Sequence, residues 1–416
     1  MGGPEPGSAT ASTDRRPWAG RRIVLGVTGG IAAYKVVQLA RDLTRMGATV
    51  DVVPTRSARR FVGDISFEGV TGRPVRWDIL ESGRALDHIR LAREADLVCV
   101  APATADFLAR GAHGRADDLL SALLLATRAP VLLAPAMNDA MWEHPATQAN
   151  VARLVELGYY LVGPAEGPLA YGEGAGAGRM EQPDVLLQHI GRALVGETRY
   201  SGRRVVVTAG PTREPVDPVR YLSNRSSGRM GFALAAAAWR RSAEVDLVAG
   251  PTVLEPPHGP RVHQVETGAE MKSAVRRLLA DAELLIMAAA PADFRPAEVA
   301  TLKIKKEAAP DVLSLEPAPD ILRDTIPDRR TGSVVVGFAL EMEEGEGNAL
   351  RKLESKELDL VVLNRTGPRS GFDTETNEVT LLDRDGEAEP LPLLSKDEVA
   401  ERILDRIERL MPFPDE

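Results

Sequence analysis

Short apolar runs ending in small or polar residues recur along the chain and alternate with longer stretches of helical period. In the first half the runs at 23–28, 49–54, 97–101, 131–135 and 160–162 read as buried strands, separated by helix-period segments such as 32–46 and 146–157. In the second half, strands are predicted at 205–208, 244–249, 262–265, 284–288, 334–338, 358–363 and 378–382. Helices at 232–241, 268–280 and 396–410 lie between and after them. Segment 372–389, with Asp383-Arg384-Asp385-Gly386 at a turn, predicts an antiparallel edge hairpin. Strand and helix alternate throughout, so the fold class is α/β, with two doubly wound, Rossmann-like units and mostly parallel sheets.

The two halves begin alike. RRIVLGVTGG (21–30) and RRVVVTAG (203–210) are both β-rich runs ending in Thr and Gly before a turn and a helix. ADLVCVAPATAD (95–106) is echoed by AELLIMAAAPAD (282–293), and both place small residues at a strand end where a ligand can approach the backbone. A seam at 196–202 gives domains at 21–198 and 199–416. The first twenty residues are rich in Gly, Pro, Ala, Ser and Thr and read as a disordered tail.

Composition narrows the partners. A length of 416 residues exceeds one ordinary core, and a net charge of −9 argues against nucleic acid while leaving room for small anions. The single cysteine, Cys99, excludes an internal disulfide framework and a cysteine-based zinc site, and fits a reducing compartment. No apolar run reaches the ~18 residues that span a bilayer, and no hydrophobic signal core opens the chain. A cytoplasmic protein with no membrane partner is expected.

Residues 210–231 (GPTREPVDPVRYLSNRSSGRMG) occupy the turn after a strand, where open α/β sheets bind ligands. Ser226, Ser227 and Gly228 precede a helix and leave N–H groups for an anion, while Arg220, Arg225 and Arg229 add fixed positive charge. Asn224 adds an uncharged donor and acceptor. The bland alternative is a long solvated loop with a serine N-cap. In the first half, Gly26 to Gly30 lacks the G-x-G-x-x-G spacing but makes a tight turn able to hold a single phosphate. Lys35 reads as a surface lysine. PAMNDAMW (135–142) puts Asn138 at the carboxyl edge of the sheet. His88 shows no partner in sequence.

Together these segments carry a resemblance. GVTGGIAAYK, DHI, APATADFLARGAHGRADDLLS and PAMNDAMW resemble the flavin-dependent cysteine decarboxylase family. The second half, with AGPTREPVDPVRYLSNRSSGRMGFALA, AAAPADFRP, KIKK and VVGFALE, resembles phosphopantothenate–cysteine ligase. Fused in this order they resemble the bacterial bifunctional enzyme of coenzyme A biosynthesis. For the first unit the resemblance implies FMN and decarboxylation of 4′-phosphopantothenoylcysteine to 4′-phosphopantetheine. A flavin is needed because a cysteine carboxylate has no electron sink; oxidising the thiol to a thioaldehyde creates one. By the same resemblance His88 is the active-site histidine, Asn138 holds the substrate carboxylate, and Gly29, Gly30 and Thr104 line the flavin.

For the second unit it implies CTP, an acyl-cytidylate that the cysteine amine attacks, and Mg²⁺ carried with the triphosphate without a dedicated cage. Lys303, Lys305 and Lys306 would pair with triphosphate oxygens. Asp293, Ala318, Pro319, Asp320, Ile321 and Phe338 match nucleotide-contacting positions, as do Lys352 and Lys356 on one helical face. Asn224 and Arg220 match positions that hold the acyl-cytidylate. Metal ligands are not singled out. The resemblance further implies trimers of the first unit and dimers of the second, closing into a homododecamer.

One departure stands out. Where the family has a flap cysteine, this chain reads LAYGEGAGAGRM (169–180), with Tyr171 in the cysteine's place. The glycine-rich lid survives. The proton donor to the ene-thiol intermediate would then be a phenol, which ordinarily titrates near pH 10, where the family has a thiol that titrates near about 8.5. Three readings stay open: decarboxylation with Tyr171, another group or water as donor; an active ligase whose first unit binds FMN and serves assembly only; or a relative of the flavoprotein prenyltransferases, which share the first fold.

Overall fold

Two β-rich segments seed two separate sheets in the computed structural model, which describes residues 17–79, 86–172, 174–306, 312–341, 345–365 and 374–411. The chain divides into a first unit ending at Leu194 and a second beginning at Val195.

The first unit holds a five-stranded sheet in the order Thr49–Pro54, Arg22–Val27, Leu97–Ala103, Val131–Pro135, Tyr160–Leu161. Every pairing is parallel, with Ile23 opposite Val50 on one side and Leu97 on the other. All but the first residue of Arg22–Val27 are buried, as expected of a strand covered on both faces. Helix Ala33–Arg45 buries Ala33, Val36, Leu39, Ala40 and Leu43, a stripe at three- and four-residue spacing. Strand order reverses at Arg22–Val27, so a crevice opens beyond its carboxyl end beside Leu97–Ala103.

Two features depart from the sequence reading. Trp18 falls within the expected tail yet is 3% exposed, its N–H donating to Met46 O at 2.8 Å, because its indole completes the core over the first sheet. The rest of that tail, residues 1–16, lies outside the described residues. The glycine-rich lid is not plain loop but an antiparallel pair, Ala165–Pro168 with Ala175–Arg179.

The second unit's sheet runs Arg261–Gln264, Glu244–Ala249, Arg204–Ala209, Leu284–Met287, Val334–Glu341, Leu360–Arg365, Val379–Asp383, Ala388–Pro390. The first six strands are parallel and the last two antiparallel, which is the edge hairpin the sequence predicts. Residues 372–373 of that segment lie outside the described residues. Here the order reverses between Arg204–Ala209 and Leu284–Met287. One sheet face packs on helices Arg229–Arg240 and Lys396–Leu410 through Leu234, Ile286, Val336 and Ile403. The other packs on Gly268–Leu279 and Gly345–Ser355 through Met271, Leu285 and Leu353.

The entry to this unit is stapled to its last helix. Tyr200 is fully buried and donates to Leu404 O at 2.6 Å, and Arg199 Nη1 donates to Glu408 O at 3.0 Å. Burial pushes the Tyr200 phenol far up, so it stays a donor. Nearby Arg241 binds Glu401 at 2.9 Å and Asp405 at 2.5 Å.

Candidate active sites

The reversal point of the second sheet opens into a cleft of about 880 Å³. Its near wall is made where two strand ends are tied together. Ala289 N donates to Thr208 Oγ1 at 3.0 Å, Ala290 N to Gly210 O at 2.9 Å, and Ala292 N to Thr212 Oγ1 at 3.0 Å. Asn224 Nδ2 donates to Pro291 O at 2.9 Å, which carries that side chain into the cleft mouth. Helix Arg229–Arg240 starts in this wall after Gly228, whose φ of +77° suits glycine. No side chain caps the helix, so its first N–H groups remain for a ligand. Gly231 permits the close approach: a Cβ there would sit 2.5 Å from Ala209 Cβ and 2.6 Å from Thr208 O.

The far wall is formed by Ala318–Leu322, Phe338, Lys352 and Lys356. Asp320 caps Ile321–Asp324 and also receives Lys356 Nζ at 2.9 Å, while Lys352 Nζ donates to Phe338 O at 2.5 Å. Asn224, Asp293, Ala318, Pro319, Asp320, Ile321, Phe338, Lys352 and Lys356 therefore line one space.

Arg220 and Lys303 do not line it. Asp217 explains why. Its buried carboxylate accepts from Val219 N and Arg220 N, both at 2.8 Å, from Ile304 N at 3.1 Å and from Arg220 Nη1 at 2.8 Å. Burial alone would raise its pKa, but the three backbone N–H groups and the guanidinium hold it below the usual carboxylate range. Arg220 Nη1 also reaches Ile304 O at 3.1 Å, so Asp217 binds the Arg220 turn to the Lys303–Lys306 segment beside the cleft.

Sequence reasoning missed Met230, Asn364, Asn377 and Lys396, which also line the cleft. Asn364 Oδ1 is buried without a hydrogen-bond partner. The available signal was position: Asn364 directly follows the apolar run LVVL, at a strand's carboxyl end.

In the first unit the corresponding crevice is shaped by backbone. Thr28 Oγ1 donates to Pro102 O at 2.7 Å and accepts from Thr104 N at 3.1 Å, joining the two strand ends at the reversal point. A Cβ on Gly29 would lie 2.6 Å from Ser57, whereas Gly30 faces Thr104 and Pro102 no nearer than 3.7 Å. The turn thus has room at Gly30 and no bulky side chain at 29 or 30, a form in which backbone N–H groups can meet a phosphate. Thr104 caps helix Ala105–Ala112, and Asn138 caps Asp139–Glu143 by accepting from Ala140 N at 2.9 Å.

His88 lies in the first turn of Asp87–Glu94, half-buried, with Nδ1 buried and unpartnered. Asp87 beside it is occupied by Arg76 at 2.7 Å and Arg90 at 3.0 Å. Tyr171 is fully exposed at the hairpin tip. No hydrogen bond joins His88, Asn138 and Tyr171 among the described residues.

Cys99 is buried and its thiol is pushed up to about 12, a packing group and not a nucleophile. Lys35 is more than a surface lysine: burial lowers its pKa, and Arg179 nearby adds to this while Glu181 opposes. Among the described residues no cluster of three or more His, Cys, Asp or Glu could hold a metal ion, and no helix is long and apolar enough to cross a membrane.

Residues 11–194 match the family model described as Flavoprotein, and residues 200–411 that of the DNA/pantothenate metabolism flavoprotein C-terminal domain. The coenzyme A biosynthesis bifunctional protein CoaBC of Vibrio cholerae is 44% identical over 398 residues, covering 94% of this chain and 99% of that protein. The Bacillus subtilis protein of the same name is 40% identical over 396 residues, covering 94% and 97%. Among solved structures, the C-terminal domain of a CoaBC protein shares 40% identity, covers 51% of this chain and 97% of its own, and gives a TM-score of 0.44.

Proposed function

The chain belongs to the CoaBC family of bifunctional coenzyme A biosynthesis proteins, and we propose how its residues divide the family's ligase and decarboxylase work. It is a flavoprotein with two activities. The second unit joins cysteine to 4′-phosphopantothenate, and the first decarboxylates the product to 4′-phosphopantetheine.

In the ligase unit CTP activates the carboxylate as an acyl-cytidylate, which the cysteine amine attacks. The observation that carries this reading is the cleft of about 880 Å³, in which Asn224, Asp293, residues 318–321, Phe338, Lys352 and Lys356 converge from separate stretches of chain. Lys352 and Lys356 hold phosphate oxygens or the ribose from the far wall, and the uncapped helix start offers N–H groups from the near wall. Asn224 steadies the acyl-cytidylate. Lys303 and Arg220 contribute charge from the Asp217-bound turn, which requires the segment around Ile304 to reach the bound ligand. Mg²⁺ enters on the triphosphate, since a dedicated carboxylate cage is not needed for it.

In the decarboxylase unit Gly29, Gly30 and Thr104 hold FMN. A flavin held there would supply the two-electron sink for oxidation of the substrate thiol and the reductant needed once CO₂ has left. Asn138 has its Oδ1 engaged by Ala140 N, so its Nδ2 hydrogens are free to grip the substrate carboxylate. His88, with an unpartnered Nδ1, handles the proton of the thiol. Tyr171 returns a proton after the tip carries it inward from its exposed position.

The test supplies purified protein with FMN and the preformed cysteine adduct and measures CO₂ and 4′-phosphopantetheine together. Stoichiometric release of both is expected. Ligation with CTP but no CO₂ from the adduct would instead make the first unit a flavin-binding assembly module. A Tyr171→Phe enzyme that decarboxylates at the original rate would remove Tyr171 from the mechanism. Trimers of the first unit and dimers of the second, closing into a dodecamer, are checked by sedimentation.

A further inference from the structure

The return strand of the lid hairpin, Ala175–Arg179, lies backbone to backbone on the turn that carries Asn138. Met137 N donates to Gly178 O at 2.9 Å. A Cβ on Gly178 would stand 2.3 Å from Met137 O and 3.3 Å from both Asn138 C and Asp139 N. On Gly176 it would stand 2.8 Å from Asp139 Oδ2 and 2.9 Å from Asp139 Cβ. Contacts under 3.0 Å are essentially never made by real Cβ atoms, so only glycine at both positions permits this approach. From the other side, Ala136 N donates to Ala103 O at 3.1 Å and anchors the turn to the sheet. The Asn138 side chain is then fixed by Ala140 N at 2.9 Å. The turn is thus held between the sheet and the lid, and the amide has little freedom left to find its own aim.

We propose that Gly176 and Gly178 are positioning residues of the decarboxylase, which set the aim of the Asn138 amide at the substrate carboxylate through the backbone of Met137–Asp139. The inference rests on the reading that Asn138 holds that carboxylate. A side chain at 178 pushes on a backbone carbonyl that cannot rotate away, and so displaces Asn138. A side chain at 176 pushes on Asp139, which can be trimmed.

The experiment uses the full-length, flavin-loaded protein and compares binding of the cysteine adduct, which has the carboxylate, with that of 4′-phosphopantetheine, which lacks it. Gly178→Ala is expected to weaken the adduct roughly tenfold or more, the cost of losing hydrogen bonds to a charged group, with the product's affinity unchanged. Gly176→Ala should do the same more weakly and be restored in an Asp139→Gly background. Flavin absorbance and CTP-dependent ligation by the same protein report folding. Equal losses for both ligands, or no rescue by Asp139→Gly, would overturn the proposal. Should Gly178→Ala fail to load flavin, the Gly176→Ala and Asp139→Gly pair decides it. Asn138→Ala separates the two ideas. If it leaves the preference for the adduct intact, the carboxylate reading fails; if it abolishes the preference while Gly178→Ala keeps it, the positioning role fails.

Discussion

At its carboxyl edge the second unit's sheet opens into a cleft with Arg225, Arg229, Lys352, Lys356 and Lys396 in its walls, while the first unit's edge is built largely of main chain. There, Gly29, Gly176 and Gly178 allow approaches that a Cβ would block, Gly30 leaves room, and Thr28 ties the strand ends. Both sheets reverse strand order at the site. On the proposed reading, the difference teaches that one architecture serves two kinds of ligand. Charge on long, paired side chains suits a triphosphate that binds, reacts and leaves. A tight turn with few side chains suits a flat cofactor that stays, and puts specificity into the geometry of a few amides.

The comparison breaks most sharply at the lysines. Replacing Lys352 and Lys356 together by alanine should lower CTP-dependent pyrophosphate release by roughly 100-fold or more, as losing preorganised charge does, with decarboxylation of preformed adduct untouched. A matching fall in decarboxylation would show that the sites are not separable. Next comes Gly231→Ala, whose Cβ meets the Thr208 carbonyl and Ala209. It should cost about 1–3 kcal/mol in denaturant unfolding of the second unit, because backbone must move.

Asp217→Asn comes third, with ligation expected to fall several-fold as the Arg220 turn loosens from Ile304. Its pH signature has a definite sign. The folded carboxyl is held below its unfolded value near 3.9, so Asp217 contributes stability fully above about pH 4 and loses it as pH falls through the folded pKa. The wild-type advantage over Asp217→Asn in acid titrations should therefore be level at neutral pH and shrink below about pH 4. The smallest effect is Tyr171→Cys. A thiol is the stronger acid, so adduct decarboxylation should rise a few-fold, measured as CO₂ release, while ligation stays constant.

Much of this was legible in sequence because buried parallel strands write themselves as continuous apolar runs. Val205 to Thr208 and Leu97 to Ala101 fall inside observed strands. The cleft residues were reachable for the same reason, since Asp293 and Phe338 follow or end such runs. Short hairpins were not, because Arg213–Pro215 with Tyr221–Ser223 and Phe294–Pro296 with Leu315–Pro317 pair over three residues each, too few for a period to show. The diversion of Arg220 was invisible as well. It depends on one carboxylate gathering N–H groups from Val219, Arg220 and, 87 positions away from it, Ile304. Lys396 was hidden by its place at the start of a helix, where a basic residue ordinarily reads as solvated surface.

The staple at the entry to the second unit bears on how the two halves can be separated. Thr198 Oγ1 donates to Arg241 O at 2.6 Å, Arg199 reaches Glu408 and Met411, and Tyr200 is locked to Leu404. The stretch that joins the halves is therefore owned by the ligase. A protease or a gene split that cuts after Tyr200 leaves the ligase with an open socket along its last helix, whereas one that cuts just before Val195 keeps the staple whole, together with the Ser242 hydroxyl's bond to Gly196 O at 3.4 Å.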